Sequence, residues 1–259
     1  MSIIDVQKRA DSRNIAINQV GIKEVRYPIC LQLQDGSVQT TIATYMMTVG
    51  LSPEVKGTHM SRFMELIHNH QQRALSILSF KQLLTNMLHL LEANYGHIKI
   101  DFPLFLKKQA PISKVESLMD YQVSFIGLID NNKPQVDIKL LVPVTSLCPC
   151  SKEISEYSAH NQRSHITLTI RVDENVALEE FIVLLEKQAS CDLYGILKRS
   201  DEKYVTERAY ENPKFVEDVV RDIALLLDND QRIRYYKIES ENFESIHNHS
   251  AYAMIEREK

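Results

Sequence analysis

VRYPICLQLQDGSVQTTIATYMMTV, residues 25–49, decides the fold class. Its two arms are rich in β-branched and aromatic residues, and Asp35-Gly36 between them is a hairpin signal. Two strands joined in this way form an antiparallel pair. Upstream, the extended pattern begins at Val20, and residues 1–16 read as an arm that is mobile or orders against a partner subunit. Downstream, the loop SPEVKGTHMS leads into SRFMELIHNHQQ and FKQLLTNMLHLLEANYG. The second of these carries Leu83, Leu84, Met87, Leu88, Leu90 and Leu91 at helical spacing and ends near Gly96. HIKIDFPLFL and YQVSFIGLI return to the extended pattern, so the first half reads strand–strand–helix–helix–strand–strand.

The second half is expected to repeat that order. VDIKLLVPVTSL and SHITLTIRV are strands, ALEEFIVLLEKQ and PKFVEDVVRDIALLLDN helices, and IRYYKIESEN and HSAYAMIER closing strands. The repetition is one of element order, not of residues. Paired helices between runs of strands indicate an α+β fold, with antiparallel sheets covered on one face by helices. The expected division is an arm at 1–16, a first module at 17–130 and a second at 131–259, forming one catalytic unit. Open sheet edges invite closure by neighbouring subunits, so a homo-oligomeric barrel is a reasonable consequence.

Composition narrows the class. The 259 residues are 44% hydrophobic and 25% charged, as in an ordinary globular protein. No apolar run has the length of a signal peptide core or a bilayer span, which makes a cytoplasmic location the default and gives no membrane partner. A net charge of −4 gives no basic surface for nucleic acid. There is no Walker-type loop, and the seven glycines form no dinucleotide-binding turn. Any nucleotide phosphate must be met by local cations or a metal.

Chemistry concentrates in two segments. In SLCPCSKEIS, residues 146–155, a strand runs into Cys148 and Cys150, and His160 follows. Thiolate and imidazole suit a borderline-soft divalent metal, whose catalytic sites take about three protein ligands and an open position. The plainer alternative is a buried strand end with a turn-capping histidine. In ESIHNH, residues 244–249, extended alternation would set His247 and His249 on one side, where neighbouring imidazoles suit proton transfer or metal binding. A pair of exposed loop histidines is the alternative. Glu202 and Glu217 are unremarkable singly: one lies in a polar stretch, the other at a helix start where a carboxylate suits the dipole. Lys56, His59 and Arg62 precede a helix that Ser61 could cap, a ready anion site or an ordinary helix start. His68 and His70 read as helix-surface residues.

The blocks KGTHMSRF (56–63), LCPCSKEISEYSAHNQRSH (147–165), NPKFVEDVVR (212–221) and NFESIHNHSA (242–251) together resemble the type IB GTP cyclohydrolases. They follow the family's order and spread over nearly the whole chain. Ser158 departs from the pattern, which has glycine before the Ala-His pair. The resemblance implies a tunnelling fold of tandem ββααββ modules, a homotetramer and active sites at subunit interfaces. It implies conversion of GTP and water to 7,8-dihydroneopterin triphosphate and formate, feeding folate-type pterins and queuosine. Cys148, His160 and Glu202 would hold Zn²⁺, Mn²⁺ or Fe²⁺, and Glu217 would anchor the guanine. His247, with Cys150 and His249 near it, would serve catalysis. Lys56, His59, Arg62, Lys152 and Arg163 would be candidates for the triphosphate.

Two other classes compete. A carboxytetrahydropterin synthase or a nitrile reductase could share the fold, the reductase using a cysteine nucleophile and a nicotinamide cofactor. A non-enzymatic, zinc-stabilised oligomer is the third reading. The paired SLCPCSKEIS and SIHNHSA blocks favour the cyclohydrolase.

Overall fold

The computed structural model describes residues 7, 10–71, 73–173 and 176–259. Strands β1 (Ile17–Gln32) and β2 (Val38–Leu51) form the hairpin expected from the Asp-Gly signal. Gly36 takes a φ of 82°, a left-handed conformation that a side chain would strain. Asp35 Oδ1 accepts the Ser37 N–H at 2.9 Å and closes the turn. Helices α1 (Met60–His70) and α2 (Ile77–Leu91) follow, then β3 (Tyr95–Gln109) and β4 (Glu116–Asp130). The chain continues through β5 (Lys133–Leu147), α3 (Pro149–Ile154), β6 (Asn161–Val172), α4 (Leu178–Gln188) and β7 (Cys191–Asp192). It closes with α5 (Arg199–Glu211), α6 (Val216–Asn229), β8 (Ile233–Phe243) and β9 (Ser250–Glu258).

The chain divides into two compact units, Met1–Phe102 with Ser124–Asp137, and Pro103–Val123 with Ile138–Lys259. In the first, α2 buries Ile77, Phe80, Leu83, Leu84, Met87, Leu88 and Leu91, a continuous apolar stripe. Phe80 meets Phe125 edge-on, and Ser76 and Ser79 cap the helix start reciprocally. Gly127 lets α2 approach, since a Cβ there would lie 2.6 Å from Leu84 Cδ1. Of the N-terminal arm, Ala10 bridges Val55, and Asp11 N–H donates to the Glu54 carbonyl of the same chain; residues 1–6, 8 and 9 lie outside the described set. In the second unit α6 buries Val216, Val219, Val220, Ile223, Ala224 and Leu227 and packs against α4, β8 and β9.

Three expectations are corrected here. Residues 17–130 keep the order ββααββ, but the second half does not repeat it. Between the expected helices stand β7 and α5, and α3 interrupts the expected strand pair. Nor do the strands of the described residues fall into tandem modules with their own sheets. They form one nine-stranded sheet in the order β1-β2-β3-β4-β5-β6-β8-β9, with β7 on β5. The tandem tunnelling-fold description therefore gives way to a single sheet. Second, α1 begins at Met60 with His59, not Ser61, at the N-cap, and no side chain caps it. Third, His70 is buried, because it falls on the Phe63, Leu66 and Ile67 face of α1; only His68 is exposed.

Candidate active site

The second unit gathers most of the chemistry at one end of β5 and β6. The aliphatic alternation of β5 ends at Leu147, and Pro149, which lacks an N–H, opens α3 at its first turn. Cys148 is thereby left at the strand–helix junction, half-buried, with Cys150 exposed beyond it. The Cys148 N–H donates to the carbonyl of His160 at 3.2 Å. Two residues twelve positions apart in sequence are thus neighbours through the backbone. Beneath them Leu147, Cys191 and Ala209 form a small apolar cluster, with Ala159 and Val205 packed on it. Burial pushes the Cys191 thiol up to about 11, with the Asp192 charge adding to it, so it stays protonated at neutral pH.

A buried polar ladder fixes this end of the sheet. Ser164 Oγ donates to Asn242 Oδ1 at 2.5 Å, Asn242 Nδ2 donates to Ser146 Oγ at 3.0 Å, and Ser146 reaches the Lys214 carbonyl at 3.4 Å. The Lys214 N–H in turn donates to the Leu147 carbonyl. The turn that leads into α6 is therefore tied beside Cys148. Glu217 lies in the first turn of α6, exposed, where the helix dipole favours its carboxylate.

His160 is held from a second side. Its Nδ1 lies 2.9 Å from Gln162 Oε1 and 3.2 Å from Ser245 Oγ. Gln162 Nε2 reaches Glu244 Oε1 at 3.4 Å, so the β8–β9 loop is docked onto the start of β6. In that loop the His247 and His249 rings stack, with centroids 5.1 Å apart and planes 13° from parallel. The expected pairing is present, although a run of bends and not an extended strand produces it.

Glu202 occupies the first turn of α5, exposed. Its neighbour Asp201 is fully buried and accepts four hydrogen bonds: from the N–H groups of Ile112, Ser113 and Lys198 and the Ser113 hydroxyl. Desolvation pushes the Asp201 carboxyl up, but these bonds outweigh it and hold the group well below the usual carboxylate range. Among the described residues no three His, Cys, Asp or Glu side chains converge into a set able to hold a metal. Cys148 and His160 are joined through the backbone, and Glu202 does not complete a trio with them. The donor chemistry of the pair fits a divalent metal: with Nδ1 of His160 engaged, Nε2 is the nitrogen left for it.

The expected phosphate ligands are divided between the two units. Lys152 Nζ donates to the Tyr210 carbonyl at 2.6 Å and lies over the Tyr210 ring, which commits it to the end of α5. Arg163 lines a cavity of about 390 Å³ with Gln162, Asp192 and Tyr194. His59 and Arg62 belong to the first unit and line a cavity of about 930 Å³ there, with exposed Lys56 one residue from its wall. Arg62 donates to the Leu90 carbonyl at 2.8 Å and lies 3.6 Å from Glu92. The sequence reading missed Gln162, Glu244, Ser245 and Asp201. One signal was available: Gln162 and Ser164 are polar at the positions that Ile166 and Leu168 continue as buried aliphatics.

A family model described as type I GTP cyclohydrolase folE2 matches residues 3–253. The chain belongs to the type I GTP cyclohydrolase folE2 family. That designation replaces the type IB, tunnelling-fold family suggested by the motif blocks. The GTP cyclohydrolase FolE2 of Nitrosococcus oceani is 59% identical over 257 residues, covering 99% of this chain and 96% of that protein. GTP cyclohydrolase FolE2 2 of Dechloromonas aromatica is 56% identical over 258 residues, covering 100% and 95%. In fold, this folE2-family chain is similar to the uricase of Arthrobacter globiformis, with a TM-score of 0.55, 8% identity and 93% of each chain covered. Urate oxidase of Bacillus subtilis 168 gives a TM-score of 0.52 at 6% identity, covering 93% of this chain and 98% of that one. At such identities the likeness is one of fold alone. A urate-oxidase-like fold takes the place of the tandem tunnelling-fold expectation.

Proposed function

We propose that this chain is a GTP cyclohydrolase, converting GTP and water to 7,8-dihydroneopterin triphosphate and formate at the head of folate-type pterin synthesis. The observation that carries the reading is the backbone-linked pair Cys148–His160, with the histidine loop 244–249 docked on the His160 ring, in a chain 99% of which aligns with a FolE2 relative. Zn²⁺, Mn²⁺ or Fe²⁺ is part of the proposal: Cys148 and His160 would hold it, and Glu202, which forms no trio with them among the described residues, would move in as the third ligand. A set with one thiolate, one imidazole and one carboxylate is hard enough to admit manganese or iron beside zinc. When bound, such an ion supplies Lewis-acid activation of water.

The chain's own residues supply the rest. Glu217 binds guanine, its two oxygens accepting from N1–H and the exocyclic amine, a charge-assisted contact that fixes the ring. His247 delivers a proton to N7 as water adds at C8, and His249, stacked on it, holds its ring in place. Cys150 lies at the exposed side of the same junction. Lys56, His59, Arg62, Lys152 and Arg163 are the triphosphate candidates, Lys152 only after leaving Tyr210. A homo-oligomer with shared sites is part of the reading, supported by the exposed apolar side chains of Ile154, Tyr157 and Ile246 beside the site residues. A cytoplasmic location belongs to it as well; no helix of the described residues is long and apolar enough to cross a membrane.

The test is to strip the protein with a chelator and incubate it with GTP, with and without Mn²⁺ or Zn²⁺. Formate release and, after oxidation, pterin fluorescence are followed. Metal-dependent formate with a fluorescent pterin is the expected result. Formate without pterin would mean ring opening without rearrangement, and neither product under any metal would sink the proposal.

A further inference from the structure

We infer that Gln162 and Glu244 are positioning residues that hold His160 in its Nδ1–H tautomer and so present Nε2 as the ligand nitrogen. This rests on the reading of His160 as a metal ligand. Gln162 is only 7% exposed, on the inward face of β6, so its amide must be satisfied within the protein. A glutamine offers one accepting oxygen and a donating nitrogen, whereas an ionised carboxylate only accepts. Glu244 Oε1, 3.4 Å from Nε2 of Gln162, therefore decides which end of the amide faces which way. The amide oxygen is then turned to His160 Nδ1, 2.9 Å away. That oxygen cannot donate, so Nδ1 must carry the hydrogen, and the lone pair of the neutral ring lies on Nε2. Ser245 Oγ, 3.2 Å from Nδ1, can accept the same hydrogen and does not oppose this choice.

The relay runs from a carboxylate in the β8–β9 loop, through an amide on β6, to an imidazole beside Cys148. Partners of this kind, one step removed from a metal, typically change affinity by about 10–100-fold when lost. They act without touching substrate.

The experiment uses the full chain, metal-free, with ¹⁵N-labelled histidine, and reads the His160 tautomer from long-range ¹H–¹⁵N correlations. Zn²⁺ affinity is then measured by competition with a chelator. The wild type should show His160 as Nδ1–H. Gln162→Leu should shift it toward Nε2–H and weaken Zn²⁺ binding by about 10–100-fold. The exchange Gln162→Glu with Glu244→Gln, which keeps an accepting oxygen toward Nδ1 and a donor–acceptor pair between the two side chains, should restore the tautomer and most of the affinity. Glu244→Ala, a loop substitution that leaves the β6 core intact, should give a mixture of tautomers even if Gln162→Leu fails to fold. An unchanged Nδ1–H signal in both Gln162→Leu and Glu244→Ala, or in Glu244→Ala alone if Gln162→Leu does not fold, would overturn the inference. A tautomer that responds as expected in a wild-type chain that binds no Zn²⁺ would uphold the relay and remove the metal reading instead.

Discussion

Ser158 has a φ of 98°, a region that side chains rarely enter, and it is exposed in the turn that delivers His160 to the site. Glycine was the residue expected there from the motif blocks, so the departure noted in the sequence coincides with a strained residue. A left-handed conformation costs a non-glycine residue roughly 1–2 kcal/mol, and glycine gives back part of that through a more flexible unfolded chain. Ser158→Gly is therefore expected to stabilise the fold by on the order of 0.5–1 kcal/mol. Urea denaturation checks it: the midpoint should rise with an unchanged slope. A lower midpoint would show that the serine side chain holds the turn. Residue pairings were legible here where the partners stood close in sequence, as for His247 and His249. They were not legible for Gln162, whose partner Glu244 is eighty-two positions away.

Helix α5 shows where the reading of elements stopped. Of its thirteen residues only Asp201 and Ala209 are buried, so it carries no apolar stripe for periodicity to detect. Strands β1 to β6 and helices α2, α4 and α6 were legible because alternation or helical spacing runs their length. What replaces hydrophobic periodicity in α5 is the Asp201 carboxylate, which joins the helix start to the β3–β4 turn through Ile112 and Ser113. Asp201→Ala should fray the first turn of α5, and with it the position of Glu202. Hydrogen exchange would report faster amides at 199–203 with unchanged protection in β8. Equal protection of α5 in the variant would mean that packing alone holds the helix. The folded carboxyl sits below its ordinary value, so its contribution is complete above the unfolded value near 3.8. It is lost as pH falls through the lower folded value, and Asp201→Asn should blunt that acid limb.

For the molecule as a whole, the sequence showed strands in the right places but not that they share one sheet. Hydrophobic alternation fixes which face of a strand is buried and leaves open which strand lies beside it. The same sheet and its helices bury His70 and partly bury His97 and His165, with a global consequence. Desolvation lowers the pKa of His70, with Arg73 adding to it, and of His97, with Lys99 adding to it. It lowers that of His165 as well, against Glu241, which raises it, and with Arg163, which lowers it. His70 Nε2 and His97 Nδ1 are buried with no hydrogen-bond partner among the described residues. Protonating either ring would place a charge in desolvated surroundings and make both its nitrogens donors, the buried one with nothing to accept its hydrogen. All three folded values lie below the unfolded one of 6.5, so between them the unfolded chain binds more protons than the folded one. Stability should therefore be complete above about pH 6.5 and fall as pH drops through the lowered folded values. Urea midpoints at pH 7.5, 6.5 and 5.5 measure this directly. His70→Leu, which removes one of the three groups from the apolar face of α1, should flatten the decline without abolishing it. A wild-type midpoint that holds steady from pH 7.5 to 5.5 would mean that the three rings take up protons as readily folded as unfolded.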